Sequence, residues 1–547
     1  MRYIVLIISF VLGVNVIAQN TLNPYSAYPI NYSDRFTIEV RSQYVESRDN
    51  NLRPMLDVGT MVPNGGIFRF VSQNQTWRSS FSKPFVSVFE DAAYTENNPL
   101  FYYRFDWYRL ESIENEYQFD EVIEPLMIDA YKKHARVVFG LACNCGSSSV
   151  AQKINGKAVA VPLYLFDEIQ KSDHPMFEDE QFGAAYVPDY DSPILLERHR
   201  ELLKAFAVWI EKPLNGSTIK RKDLIFGIET RYFGYWGEGA TRDLYYPKTD
   251  LFNQYLDSYN DCFPDILLIG SIQHSVHLPK ESSYNSNPKF GRFVLSMQHC
   301  SKMLNMQNRK GHWGYFIDSW QYNSDQYDLC SNRVLYDEDG QATSLALFLR
   351  DNIYGSCYLT GEFDFFGKTG DEPYGGLYQQ FTTRGLSGIS INGVRAAING
   401  VRMTSIPDSV YTNIRECLSM AGYRLVLNPN VKITKRWLRN YVTINLTNIG
   451  VSSVFSDYYK MRFFVKDSSG KIVYDTFSDF DLRKVAAHSE RPLLYNMSDG
   501  INLTQYVGRK RGKLYLKIID IKGIELPMTL SNYGRLSDGS YYLGELK

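Results

Sequence analysis

Two acidic residues stand where a short strand pattern gives way to a loop. Glu238 lies in Ile228-Glu229-Thr230-Arg231-Tyr232-Phe233-Gly234-Tyr235-Trp236-Gly237-Glu238-Gly239, and Glu362 in Gly355-Ser356-Cys357-Tyr358-Leu359-Thr360-Gly361-Glu362-Phe363-Asp364. Two carboxyl groups at one cleft can protonate a leaving oxygen and attack, or activate water at, an acetal carbon. A separation of about 5 to 5.5 Å suits direct attack, and about 6.5 to 9.5 Å leaves room for a water. The glycines around Glu238 let the backbone turn sharply, and Tyr235 and Trp236 can wall a sugar subsite. An aromatic setting raises a carboxyl pKa, as a general acid near neutral pH needs. The alternative is that Glu238 pairs with a nearby cation such as Arg231 and only holds the loop. Asp364, two residues beyond Glu362, is a substitute for it in the same role.

Further polar and aromatic residues stand at the ends of other strand patterns, as substrate-holding candidates: Arg104, Asp106 and Trp107, then Asn144, His274, Asp318 and Trp320. Arg104 and Asp106 alternate with Phe105 and share a face, which serves equally for a buried salt bridge. His274 and His277 form H-x-x-H with no third ligand, too little for a metal site. Cys143 and Cys145 form C-x-C with no second pair, and the seven scattered cysteines are no disulfide framework. Gly361 to Thr369 has five residues between its glycines where a phosphate loop needs four, so nucleotide binding is rejected. No G-x-S-x-G elbow and no H-E-x-x-H is present. Acid–base work on paired carboxylates remains, with no cofactor and no metal expected.

The elements that position these residues follow from periodicity. Short apolar or aromatic runs over 66–71, 100–107, 136–141, 223–229, 266–272, 313–319, 353–361 and 388–392 alternate with amphipathic helical patterns, among them 122–134 and 192–211. In the latter, Leu195, Leu196, His199, Leu202, Leu203, Phe206 and Ile210 recur at helical spacing behind Asp191-Ser192-Pro193, a cap and first-turn proline. Eight strands with intervening helices predict an α/β fold, a closed (β/α)8 TIM barrel over 54–405, whose chemistry belongs at the C-terminal strand ends. After about residue 405 a helix is expected over 409–421. Alternating strands then follow over 423–427, 437–445, 459–466, 471–477 and 513–520, a C-terminal all-β sandwich over 406–547.

Met1-Arg2, the apolar run to Val16 and Val16-Ile17-Ala18 read as a signal peptide cut after Ala18, so an exported protein, periplasmic or secreted, is expected. Residues 19–53 match no element. A net charge of −1 without long charged blocks gives no reason to expect nucleic acid or a membrane as partner. The aromatic share of 15%, with 41 Tyr, supplies flat amphipathic surface for sugar faces, and equally suits strands.

Tyr102-Tyr103-Arg104-Phe105-Asp106-Trp107-Tyr108-Arg109-Leu110-Glu111 followed by Glu116-Tyr117-Gln118-Phe119-Asp120 resembles the second-strand region of clan A barrel glycosidases and of related exported bacterial barrel proteins. Trp236-Gly237-Glu238 resembles their Trp-Gly-Glu segment after strand four. Met420 to Leu427, Ile444 to Val451 and Asp457-Tyr458 resemble their C-terminal β-sandwich. The resemblance implies a retaining glycoside hydrolase acting on a polysaccharide or oligosaccharide, with Glu238 as acid/base and Glu362 as nucleophile. Gly237 stands where clan A has Asn before the acid/base, and the alternative expectation is a non-catalytic glycan-binding barrel. Oligomeric state does not follow from these residues.

Overall fold

The computed structural model describes residues 66–71, 100–142, 152–180, 183–235, 237, 249–271, 313–317, 334–336, 342–344, 358–361, 388–390, 397–398, 401–402, 423, 425–427, 431–448, 454–455, 457–485, 500–528, 530, 532 and 535–547. The expected signal peptide, residues 19–53 and the helix expected over 409–421 lie outside them.

Eight strands form one parallel sheet: β1 Gly66–Val71, β2 Leu100–Asp106, β3 Arg136–Ala142, β4 Ile225–Glu229, β5 Leu267–Ser271, β6 Trp313–Ile317, β7 Tyr358–Gly361 and β8 Gly388–Ser390. Each coincides with a strand expected from sequence, the ends shifting by a few residues. Their order is β7-β6-β5-β4-β3-β2-β1-β8, so the last strand returns to lie beside the first.

Side chains alternate across this sheet. Tyr103 and Phe105 of β2 pack on Phe139 of β3, with ring centroids 5.9 and 5.8 Å away. Phe139 in turn meets Phe206 of the helix α3 (Pro193–Ile210) at 5.8 Å. That face therefore looks to the helices. The opposite face gathers Leu100, Val138, Phe226, Ile269 and Tyr358, from β2, β3, β4, β5 and β7, into one buried cluster. Strands lie about 4.8 Å apart, so in a flat sheet β4 and β7 would stand about 14 Å apart and β2 and β7 about 24 Å. Phe226 and Tyr358 nevertheless meet edge-to-face at 5.0 Å. The sheet thus curls around this cluster.

The helix α3 begins as its sequence predicts: Ser192 Oγ accepts from the Leu195 N–H at 3.3 Å, and Pro193 opens the first turn. All seven expected apolar-face residues are buried. His199 among them is pushed down to a pKa of about 3 by burial and is neutral at physiological pH. It lies against Trp107, Tyr255 and Tyr259. The helix expected over 122–134 is instead two pieces, Phe119–Val122 and α1, Glu124–Lys132. Pro125, in the first turn of α1, disfavours helical geometry in the residue before it and removes a donor.

A small sheet that its sequence does not signal follows β3. Between β3 and α3, the strands Gln152–Ile154, Lys157–Val159, Ala185–Val187 and Phe177–Asp179 form this sheet, accompanied by α2, Leu163–Gln170. Strands of three residues are too short to declare a period.

The C-terminal part is all β: β9 Leu425–Leu427, β10 Lys432–Arg436, β11 Arg439–Asn448, β12 Tyr459–Lys466, β13 Ile472–Phe477, β14 Ile501–Tyr506, β15 Gly512–Asp520 and β16 Tyr541–Leu546. One antiparallel sheet joins β9, β10 and β14 to β11, and the other runs β13-β12-β15-β16. Val442, Ile444 and Leu446 of the first share a core with Met461, Phe463, Val465, Leu514, Leu516 and Ile518 of the second.

This all-β part is tied to the N-terminal ends of the parallel strands. Arg136, first residue of β3, is fully buried. Its guanidinium reaches Asp520 at 2.6 Å, Glu525 at 3.0 Å and the Asp223 carbonyl, and lies 4.3 Å from the Tyr458 ring centroid. Lys522 pairs with Asp223 at 2.7 Å. Phe455 meets Tyr358, first residue of β7, edge-to-face at 5.6 Å. The all-β part thus packs over the N-terminal ends of β3 and β7.

Candidate active site

The C-terminal ends of β2, β3 and β4 converge on a buried carboxylate. Glu229, the last residue of β4, receives the Arg231 fork, Nε to Oε2 at 2.7 Å and Nη2 to Oε1 at 2.8 Å. Arg104 of β2 approaches Oε2 with Nε at 3.4 Å. Burial alone would raise the Glu229 pKa, but the two guanidiniums outweigh it and hold the carboxyl below its ordinary value, so it is ionised. Gly140 of β3 makes the room: a Cβ there would stand 2.9 Å from both Glu229 Oε2 and Arg231 Cγ.

Asp106 follows Arg104 on the same face of β2, about 6.6 Å further along by strand geometry. Although partly exposed, it is surrounded closely enough that desolvation pushes its pKa up to about 6, against the opposing pull of Arg109. Its carboxyl makes no capping bond to the 3-10 turn that it precedes. The carboxyls ending β2 and β4 are thus driven in opposite directions, Glu229 ionised and Asp106 protonated over part of the near-neutral range.

The segment after β4 is anchored rather than loose. Tyr235 is buried and its hydroxyl donates to Asp179 of the small inserted sheet at 2.8 Å. The Gly234 N–H donates to Tyr190 Oη at 3.0 Å, and the Gly237 N–H to the Gly234 carbonyl at 3.0 Å. Gly237 has φ +71°, and a Cβ there would lie 2.5 Å from Arg231 Cβ. No other residue fits that turn without moving Arg231.

Of the residues expected from sequence, Arg104 and Asp106 stand together at the β2 end. Trp107 is buried, its indole N–H donating to Glu111 at 2.8 Å, and Tyr235 is buried as described, so neither ring is open to solvent here. Arg104 pairs with Glu229, not Asp106, and Arg231 closes its fork on Glu229. Glu238, Glu362, Asn144, Trp236, His274, Asp318, Trp320 and Asp364 lie outside the described residues. Glu229 is not singled out by the sequence although it stands in the segment read there, and Arg231, expected as a possible partner of Glu238, pairs with Glu229. Their signal was a charged residue ending the apolar run Ile225–Ile228, with a cation two residues on. Among the described residues no cluster of metal-ligating side chains occurs, and Cys262 is a free thiol.

No family model matches the chain, and no curated protein does. Among solved structures, the chain is similar to endo-glycoceramidase II from Rhodococcus sp. in its lactosyl-enzyme intermediate, at 10% identity and a TM-score of 0.39, over 82% of this chain and 99% of that one. The catalytic domain of β-amylase from Paenibacillus polymyxa gives 11% and 0.38, over 65% and 99%. The exo-β-1,4-mannosidase Op5Man5 from Opitutaceae bacterium strain TAV5 gives 12% and 0.24, over 40% and 35%. At scores this low, fold and function rest on the chain's own strands and side chains.

Proposed function

We propose that the chain is a retaining glycoside hydrolase, exported by a signal peptide cut after Ala18, whose parallel sheet closes into a (β/α)8 barrel between β7 and β8. The Cα atoms of those two strands approach within 8 Å. The observation that carries the reading is the contact of Phe226 with Tyr358, which supports a curled sheet with β4 and β7 facing one another. Glu238 follows β4 by nine residues and Glu362 is the residue after β7, so facing strands favour a common mouth for the two carboxyls. The Asp106–Arg104–Glu229–Arg231 group stands at the same strand ends, and Phe455 packs at the opposite end of β7.

In this reading Glu238 protonates the leaving oxygen while Glu362 attacks the anomeric carbon, and the resulting ester is hydrolysed by water deprotonated by Glu238. The test is intact-protein mass spectrometry after incubation with a panel of activated aryl 2-deoxy-2-fluoroglycosides. The expected result is a mass gain of one fluoroglycosyl unit with loss of the aryl alcohol, mapped to Glu362 and absent from Glu362→Gln. Labelling that persists in Glu362→Gln would reject the assignment.

A further inference from the structure

The hairpin joining β10 and β11 ends in a two-residue loop, Trp437-Leu438, with Arg436 paired to Arg439 across it. Both loop residues have positive φ, 48° and 64°. That is the geometry of the tight turn usually filled by Asn-Gly, because a side chain in this region crowds its own backbone. Here it presents a Trp that is 96% exposed and a Leu that is 71% exposed. Neither adds to the core, and both raise the energy of the turn. Such a pair is explained by something outside the chain.

The surroundings of the tip say what that is. The 507–511 connection lies beside it, the Asn440 N–H donating to the Gly508 carbonyl at 3.0 Å and Asn440 Nδ2 to the Lys510 carbonyl at 3.4 Å. Lys435, Arg436, Arg439, Arg509, Lys510 and Arg511 are all exposed at this end of the sandwich. Among the described residues none of the six forms an ion pair. Ile472, 42% exposed, opens β13 at the same end. An apolar aromatic–aliphatic tip with six exposed cations on its hairpin and on the adjacent connection matches the boundary of an anionic bilayer, where Trp sits at headgroup depth and Lys and Arg meet lipid phosphates. A sugar platform would offer a flat ring beside polar hydrogen-bonding groups, and Leu438 has no part in one.

We propose that this tip docks the protein peripherally on an anionic lipid surface, Trp437 and Leu438 entering the headgroup region and the six cations holding the phosphates. No helix of the described residues is long and apolar enough to cross a membrane. The chain's overall charge of −1 hides this, because the cations gather only when the sandwich folds.

The test is sedimentation of the full chain with vesicles of equal parts phosphatidylglycerol and phosphatidylcholine, beside phosphatidylcholine alone. The comparison variants are W437N/L438G, which gives the turn its favoured residues and so preserves folding, and R436E/R439E. Wild type should bind the anionic vesicles at least tenfold more tightly than the neutral ones, and each double variant should lose at least tenfold. A steep fall in binding with added salt is expected. Absence of binding to anionic vesicles overturns the proposal, as does binding unchanged in W437N/L438G. Retention by an acidic polysaccharide without vesicle binding would assign the tip to glycan instead. Because hydrolysis is assayed separately, neither result depends on the proposed catalytic reading.

Discussion

Replacing Arg136 by Met removes the one cation between two buried carboxylates and, with it, the tie between the parallel strands and the sandwich. Asp520 and Glu525 are both fully buried at 2.6 and 3.0 Å from the guanidinium. Removing one partner from such a cluster costs about 3 to 5 kcal/mol, because the remaining charge has neither water nor counter-ion. Asp520 keeps the N–H groups of Lys522, Ile524 and Glu525, so most of the loss falls on Glu525. Burial already holds Glu525 above its ordinary pKa, with Arg136 pulling the other way. A carboxyl whose folded pKa is raised is most favourable when protonated, and stability drops as pH rises through that value. Without Arg136 the pKa climbs further, so the deficit should be larger at pH 8 than at pH 5. R136M/E525Q should recover about 2 kcal/mol, since it leaves a single carboxylate with three backbone donors. Urea unfolding followed by tryptophan fluorescence at both pH values reads these differences. A deficit under about 1 kcal/mol at pH 8, or one indifferent to pH, would refute the reasoning from buried charge.

Three other perturbations probe the site and the tip. Asp106→Asn removes a carboxyl whose pKa stands at about 6 in place of 3.8. Its ionised form opposes folding as pH rises from about 4 to about 6, so the variant should gain up to about 3 kcal/mol at pH 8 and nothing at pH 3.5. Thermal unfolding checks this, and equal effects at the two pH values would contradict it. Gly140→Ala forces a methyl group to within 2.9 Å of Glu229 Oε2 and Arg231 Cγ, and should cost about 1 to 3 kcal/mol by overpacking. An unchanged midpoint in chemical denaturation would mean that the cage yields. W437N/L438G should raise the unfolding midpoint, by about 1 kcal/mol of relieved turn energy, and a lower midpoint would show the loop conformation to be unstrained.

The parallel strands were legible because most are short, mainly apolar or aromatic runs, as in Arg136–Ala142. The helix α3 was legible down to its cap, since Ser192-Pro193 and the buried face from Leu195 to Ile210 obey one period. The edge strand β10, Lys-Ile-Thr-Lys-Arg, was not. Four of its five residues are exposed, so it has no alternation to read, and its charges suit an unpaired sheet edge. At the site, Arg104 and Asp106 were recognised as sharing a face, but which carboxylate Arg104 meets depends on Glu229, 125 residues away. Spacing along one strand says nothing of that partner. Tyr235 and Trp107 were read as sugar-facing rings because aromatic residues at strand ends serve either purpose. Their hydrogen bonds to Asp179 and Glu111 hold them inward. The cationic tip was invisible for the same reason as the Arg104 pair: the cations of 435–439 and 509–511 come to one end only once β11 pairs with β14.

Under the proposed function, Glu238 and Glu362 break glycosidic bonds. The most direct measurement is release of reducing sugar from a broad panel of polysaccharides, oligosaccharides and aryl glycosides by the mature chain, beside Glu238→Gln and Glu362→Gln. The expected result is turnover of at least one substrate by the wild type, with a loss of about a thousandfold or more in each variant. Turnover retained in both variants, or no turnover alongside glycan binding that neither substitution alters, would contradict the account.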